Sequence, residues 1–309
     1  TNEMMRIVSL SDICSYVNCK TPVEQIQLVD YVSTENLLQN KGGLSVANKL
    51  PSGKVTAFQA GDVLVSNIRP YFKKIWLADR SGGASNDVLV FRKLNDNICE
   101  KYLYYILADD RFFTFSTVSA SGSKMPRGDK VQIMNYPINL PSLDQQKKIA
   151  DILSSLDEKI ELNRRMNETL EQLGQALFRH YFVDKAKQSN GNIQTIPLGK
   201  KFHPKRGRSL QVRDMICGDT PVISGGLKPA GFHNEANTTT PVITISASGA
   251  NAGFVSVWGE SVWSADSSYI DSTTTEYVYT YYLFLKNKQK EIYDMQTGSG
   301  QPHIYPKHI

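Results

Sequence analysis

The chain has 309 residues and carries 35 Lys and Arg against 30 Asp and Glu, a formal net charge of +5. Hydrophobic residues make up 40% of it, enough for about two domains with cores of their own, and no run approaches the ~20 apolar residues of a membrane span. The opening TNEMMRIVSLSD lacks the basic start and apolar run of a secretory leader, so the chain reads as soluble and cytoplasmic, and its mild positive charge permits nucleic-acid binding without demanding it.

The cysteines Cys14, Cys19, Cys99 and Cys217 form no CxxC pair, and read as reduced thiols.

Residues 1–140 read as a first unit. RIVSLSDICSYVN gives a short apolar entry followed by a polar turn. GDVLVSNIRPYFKKIWLADRSGGASND alternates apolar and polar residues, as half-buried strands do. It breaks after Ser66 at a polar turn and closes on Ser85-Asn86-Asp87. That turn offers Asn67, Arg69, Tyr71, Lys73 and Lys74. Asn pairs bidentately with adenine and Arg with guanine in the major groove, so the turn is a candidate DNA contact. EKYLYYILADDRFFTFS is an aromatic segment of helix length, and Gly122-Ser123-Lys124-Met125-Pro126 comes after it.

Residues 141–184, PSLDQQKKIADILSSLDEKIELNRRMNETLEQLGQALFRHYFVD, read as one long helix. Pro141 suits a helix start, and no other proline interrupts the segment. A heptad register places Ile149, Leu156, Asn163, Leu170 and Leu177 at position a. A lone Asn163 in such a seam fixes register. Forty residues at ~1.5 Å each make a rod of ~60 Å, a spacer longer than one ~34 Å turn of B-DNA. The seam, with Ile160, calls for a partner helix, and this sequence contains no second such segment. Arg164, Arg165 and the end FRHYF are candidate contacts for a partner subunit.

Residues 185–191 read as a linker and 192–309 as a second unit. GKKFHPKRGRSLQVR clusters basic residues, among them Lys205, Arg206 and Arg208, for phosphate contact. ISGGLKP adds Lys228 on a glycine loop. TPVITISASGANAGFVSVWGESVWSAD repeats the plan of the 61–87 segment and offers Ser248 and Asn251. EYVYTYYLFLKNKQKEIYD is a second aromatic helical segment, and Gly298-Ser299-Gly300-Gln301-Pro302 repeats the odd turn of the first unit. Lys124, Arg127, Gln301 and His303 flank the two turns. The turns either present polar groups to DNA or close each unit onto the long helix.

The expected fold is therefore α+β: two similar recognition domains, each a curved β-sheet plus helices, joined by a long coiled-coil-type helix. Against catalysis stand the lack of a GxxxxGK[ST] phosphate loop, of an Asn-Pro-Pro-Tyr motif and of metal spacing among the five histidines.

Three stretches resemble type I restriction–modification specificity subunits. LPSLDQQKKIADILSSLDEKIELNRRMNETLEQLGQALFRHYFVD resembles their central conserved region, and GSKMPRGDKVQIMNYPINLP and GSGQPHIYPKHI resemble the ends of their two target recognition domains. The resemblance implies a non-catalytic subunit that reads a bipartite site on double-stranded DNA. It implies modification subunits that carry S-adenosylmethionine and methylate adenine, and a restriction subunit that uses ATP; no cofactor is expected here, with S-adenosylmethionine, ATP and magnesium on those partners. Such subunits carry a second conserved helical region after the second recognition domain, whereas this sequence stops where that region would begin. The expectation is a helix supplied by a second copy or a half-subunit. The alternative is a coiled-coil adaptor with two duplicated protein-binding modules, whose binding would not weaken steeply with salt.

Overall fold

The computed structural model describes residues 6–122, 125–185, 196–298 and 300–309. Lys124 and most of the expected 185–191 linker lie outside the described residues. The chain divides into two compact units, Thr1–Asn163 and Arg164–Ile309, and the division falls inside the long helix.

In the first unit come strands β1 (Arg6–Ser9), β2 (Cys14–Tyr16), β3 (Lys20–Pro22), β4 (Tyr31–Val32), β5 (Lys54–Phe58), β6 (Val63–Ser66), β7 (Ile75–Leu77), β8 (Gly82–Ala84) and β9 (Val88–Lys93). Helices α1 (Glu100–Ala108), α2 (Asp110–Val118) and α3 (Lys130–Met134) come next, then strand β10 (Pro137–Leu140) and helix α4 (Leu143–Phe178). One antiparallel sheet runs β2-β9-β6-β7, a second, mixed sheet runs β3-β5-β8-β4 with β4 parallel to β8, and β1 pairs with β10.

The apolar runs explain the layering. Every residue of β6 is buried. Val63, Val65, Leu89 and Phe91 face a core shared with Leu103, Leu107, Phe112 and Phe113 of the helices. Leu64, Val88 and Val90 face Val32, Phe58 and Ala84 of the second sheet. Strands covered on both faces need apolar residues at every position, not at alternate ones. Burying a side chain such as Phe91 contributes about 1.5–3 kcal/mol. Asp109 caps α2 through the Arg111 N–H at 2.8 Å, and Asp129 caps α3 through Val131 and Gln132.

The second unit repeats the plan with β11 (Lys205–Arg206), β12 (Thr220–Ile223), β13 (Gly231–His233), β14 (Val242–Ser246), β15 (Val255–Trp258), β16 (Trp263–Ser264) and β17 (Ser267–Asp271). Helices α5 (Val278–Asn287) and α6 (Gln289–Asp294) close it. Its main sheet runs β11-β17-β14-β15, with Ile243, Ile245, Val255 and Ile270 packed against Val278, Leu285 and Ile292. Its second sheet is smaller, β13-β12-β16.

Helix α4 has 36 residues, about 54 Å at ~1.5 Å each. It starts at Leu143 rather than Pro141, and the chain from Arg179 to Asp184 continues as a π-helical turn. The helix thus continues without a break to Asp184, its last turns widened to i→i+5 bonding, with Phe178 stacked on Phe182 at 5.1 Å. In the first unit Gln146 anchors the helix, accepting from the Cys99 N–H at 3.0 Å and donating to the carbonyls of Asn97 and Pro141. Tyr105 donates to Asp157 at 2.9 Å. In the second unit Tyr282 donates to Glu171 at 2.8 Å. Among the described residues no helix is long and apolar enough to cross a membrane, and no cluster of three or more His, Cys, Asp or Glu is placed to hold a metal ion.

Candidate nucleic-acid interface

Both odd turns fold alike and serve one purpose. Gly122 and Gly298 take φ of 102° and 99°, a region open to glycine because it has no Cβ. Each lets the chain double back into a small ladder. Ser121 and Arg127 exchange backbone hydrogen bonds at 3.0 Å, and Thr297 and His303 do so at 2.9 and 2.8 Å. Arg127 then bridges to Ile68, and His303 to Ser248. The turn therefore closes onto the loop that leaves the central strand, β6 or β14.

The two loops share one hydrogen-bond frame. Asn67 N–H donates to the Asp87 carbonyl at 2.8 Å, and Ala247 N–H to that of Asp266 at 3.1 Å. Arg69 N–H donates to Pro126 at 2.8 Å, and Gly249 N–H to Pro302 at 3.0 Å. Gly128 N–H donates to Asn67 at 3.2 Å, and Ile304 N–H to Ala247 at 2.9 Å. Ser66 N–H donates to Lys74 at 3.1 Å, and Ser246 N–H to Phe254 at 3.0 Å. Residues 66–74 and 246–254 are thus equivalent without a gap, and 121 and 126–128 correspond to 297 and 302–304. Tyr71 matches Asn251, and Arg127 matches His303.

The shared frame carries different chemistry. In the first unit Arg127 reaches Asp87 at 3.1 Å, with 55% and 41% of the two side chains exposed. In the second unit His303 Nδ1 donates to the Gln301 carbonyl at 2.7 Å, which leaves Nε2 an acceptor in the neutral ring. The Ser248 hydroxyl donates to Asp266, the counterpart of Asp87. His303 stacks on Tyr305 at 6.3 Å, and the Arg206 guanidinium lies 5.8 Å from the Tyr305 ring. At this shared position Arg127 offers donors only, whereas His303 offers an acceptor in its neutral form.

The remaining candidates divide. Tyr71 is half-exposed and packs edge-on against Phe72. Asn67 corrects the sequence reading: it is 6% exposed, and its Oδ1 has no hydrogen-bond partner among the described residues, so it supports the loop from below instead of presenting an amide. Lys74 is also turned inward, donating to the Thr34 carbonyl, and burial pulls its ammonium pKa down. Arg69 lies 5.9 Å from the Phe72 ring, and Lys73 pairs with Asp110 at 2.8 Å. Lys205 donates to Thr273 at 2.6 Å and pairs with Asp271 at 3.4 Å. Burial pushes the Asp271 carboxyl up, but bonds from Thr273, Thr239 and Thr274 and the Lys205 charge together hold it low. Arg208 lies 6.0 Å from the Trp263 ring, and its carbonyl accepts from Trp263 Nε1. Gln301 and Lys228 are exposed and Asn251 is half-buried. The Lys228 loop abuts Ser248, since a Cβ on Gly225 would lie 2.6 Å from the Ser248 carbonyl oxygen.

Sequence reasoning missed Lys41, Tyr305 and the pairing roles of Asp87 and Asp266. The matching closures SND and SAD signalled the last two; Lys41 carries no local signal.

On α4 the apolar stripe stays open among the described residues: Ile149 is 38% exposed, Leu156 55%, Ile160 50%, Leu170 59% and Leu177 49%. Asn163, Arg164 and Arg165 are exposed as well.

The two units are thus copies of one α+β frame with differently furnished polar loops. Residues 2–172 match the type I restriction modification DNA specificity domain, which is more than half of the 309-residue chain, and the chain belongs to that family. It is 30% identical over 222 residues to the HindI specificity subunit of Haemophilus influenzae, covering 69% of this chain and 47% of that one. It is 32% identical over 89 residues to the MjaIX specificity subunit of Methanocaldococcus jannaschii, covering 29% and 21% respectively. The chain thus spans about half the length, or less, of these curated relatives. The crystal structure of a type I restriction–modification S subunit from M. genitalium superposes with a TM-score of 0.57 at 18% identity, covering 95% of this chain and 80% of that one; it shares the fold. The adaptor alternative is not favoured by this membership.

Proposed function

We propose that this chain reads DNA sequence without catalysing a reaction, and that each unit sets its paired loops against one half of a bipartite target on double-stranded DNA. The observation that carries the reading is the common backbone frame of residues 66–74 and 246–254, furnished with Tyr71 and Arg127 in one unit and Asn251 and His303 in the other. A fixed backbone with variable polar tips suits base readout in the major groove. Arg206, Arg208 and Lys228 supply charge for phosphates.

In this reading residues 1–140 and 192–309 are the two recognition domains and 141–184 the helix that docks partners. The open stripe on α4 supports packing against a partner helix, and Arg164 and Arg165 lie where modification subunits would make contact. In this reading methylation and cleavage belong to modification and restriction subunits, and S-adenosylmethionine, ATP and magnesium are expected on those partners.

The test is selection of duplexes from a random pool by the chain co-purified with its modification subunit. A split consensus is the expected result, with affinity falling steeply as salt rises. Enrichment of no sequence, or salt-independent binding, counts against the proposal.

A further inference from the structure

Every non-glycine residue with positive φ among the described residues falls on two facing loops of the first unit. Asn40 (55°) and Lys41 (60°) lie on one loop, Arg69 (50°) and Lys73 (50°) on the other. The loops are clasped: Asn40 N–H donates to the Phe72 carbonyl at 2.9 Å, and Lys41 N–H to that of Lys73 at 2.8 Å. Left-handed backbone is strained for a residue with a Cβ, and such strain gathers where function requires it. The second unit places Gly249 and Gly253 at the positions of Arg69 and Lys73, with φ of 81° and 88°. Glycine therefore satisfies the backbone at these two points. What Arg69 and Lys73 add is positive charge.

The charge is gathered. Lys41 Nζ lies 2.9 Å from Asp110 Oδ1, and Lys73 Nζ lies 2.8 Å from Oδ2. One carboxylate thus holds two ammonium groups, one on each oxygen, with 36%, 33% and 61% of the Lys41, Lys73 and Asp110 side chains exposed. Exposed ion pairs add little stability, so folding alone does not account for strained lysines here. An anion with several acceptor oxygens fits the same two ammonium groups.

We propose that Lys41 and Lys73 form a clamp for a phosphate of the DNA backbone, and that Asp110 is its placeholder, holding the two ammonium groups together until a phosphate displaces it. The proposal rests on the reading of this unit as a DNA binder and assigns to it a phosphate site at a place where the second unit carries glycines. The Lys73 and Lys41 hydrogen bonds hold the Asp110 carboxyl down to about 2, so it stays charged and competes with DNA at any working pH. Asp110 thereby restrains sequence-independent binding.

The experiment measures affinity of the full chain for a mixed-sequence 30-base-pair duplex by fluorescence anisotropy across a salt series. Lys41→Gln is expected to lower the slope of log K against log salt by about 0.9, the share of one phosphate contact. Lys41→Arg is expected to keep the wild-type slope, and Asp110→Asn to tighten binding several-fold at the lowest salt. A wild-type slope in Lys41→Gln, or unchanged affinity in Asp110→Asn, overturns the clamp and leaves the DNA reading standing. Absence of duplex binding by the wild type at every salt overturns both. Equal loss of slope in Lys41→Gln and Lys41→Arg means that the loop, not the charge, is at issue, and also overturns the clamp.

Discussion

Arg69 and Gly249 hold the same place in two copies of one loop: both are left-handed, and both donate their N–H to a proline carbonyl, at 2.8 and 3.0 Å. A Cβ in this region costs roughly 1–2 kcal/mol, partly offset by the extra freedom of glycine in the unfolded chain. Arg69→Gly is therefore expected to stabilise the first unit by up to about 1 kcal/mol while weakening DNA binding. Urea unfolding measured alongside duplex affinity checks both. Loss of stability with affinity unchanged would show that the arginine serves the fold.

Arg127 and His303 share a second address with opposite chemistry. Arg127 presents donors only, which suit guanine O6 and N7; His303 offers Nε2 as an acceptor in its neutral form. Arg127→His is expected to change the base preference of one half of the target by about 1–3 kcal/mol, the usual value of a good base contact, and to leave the other half as it was. Sequencing of selected duplexes reads this directly. A change spread over both halves would count against assigning one half to each unit.

Asp62 is 1% exposed and receives Arg92 as a two-pronged donor, Nε to Oδ1 and Nη2 to Oδ2, each at 2.7 Å. Its Oδ2 also accepts from the Gln59 N–H at 2.9 Å. Arg92→Ala strands a buried carboxylate. Full burial of both partners would make the loss about 3–5 kcal/mol; with the Arg92 side chain 36% exposed, about 2–3 kcal/mol is expected. Chemical denaturation of the variant measures it, and a loss below about 0.5 kcal/mol would mean that water replaces the guanidinium.

The Asp110 carboxyl sits at about 2, below its ordinary 3.8, because Lys73 and Lys41 bond to its charged form. A carboxyl lowered on folding contributes stability that is present above its unfolded pKa and is lost as pH falls through its folded one. The stability difference between wild type and Asp110→Asn is thus expected to be constant above about pH 5 and to shrink between about pH 4 and pH 2. A difference that is flat across this window would show that the lysines do not hold the carboxylate in solution.

The duplication, the long helix and the odd turns were all legible in the sequence, because each leaves a local trace. Gly122 and Gly298 mark positive φ, Ser66 and Ser246 end matching strands, and the heptads of α4 need only spacing. The state of individual side chains was not legible. Asn67 sits in a polar turn and reads as exposed, yet Gly128 comes in from the second turn and covers it. Lys205 reads as a free cation, but Asp271, far along the chain, meets it. Lys41 stands apart in sequence from Lys73 and Asp110, and only the clasp between the two loops brings the three together. Such pairings come from tertiary packing, which leaves no period and no motif.

Strand β1 lies against β10 in register from Arg6 with Leu140 to Ser9 with Pro137. Everything between these strands therefore enters and leaves through a single doorway, held shut by its own hydrogen bonds. A module with adjacent chain ends can be lifted out and another fitted into the same frame without retuning the helix beyond it. On the proposed reading, exchange of the contents behind the door would alter one target half at once, where point substitution would take many steps.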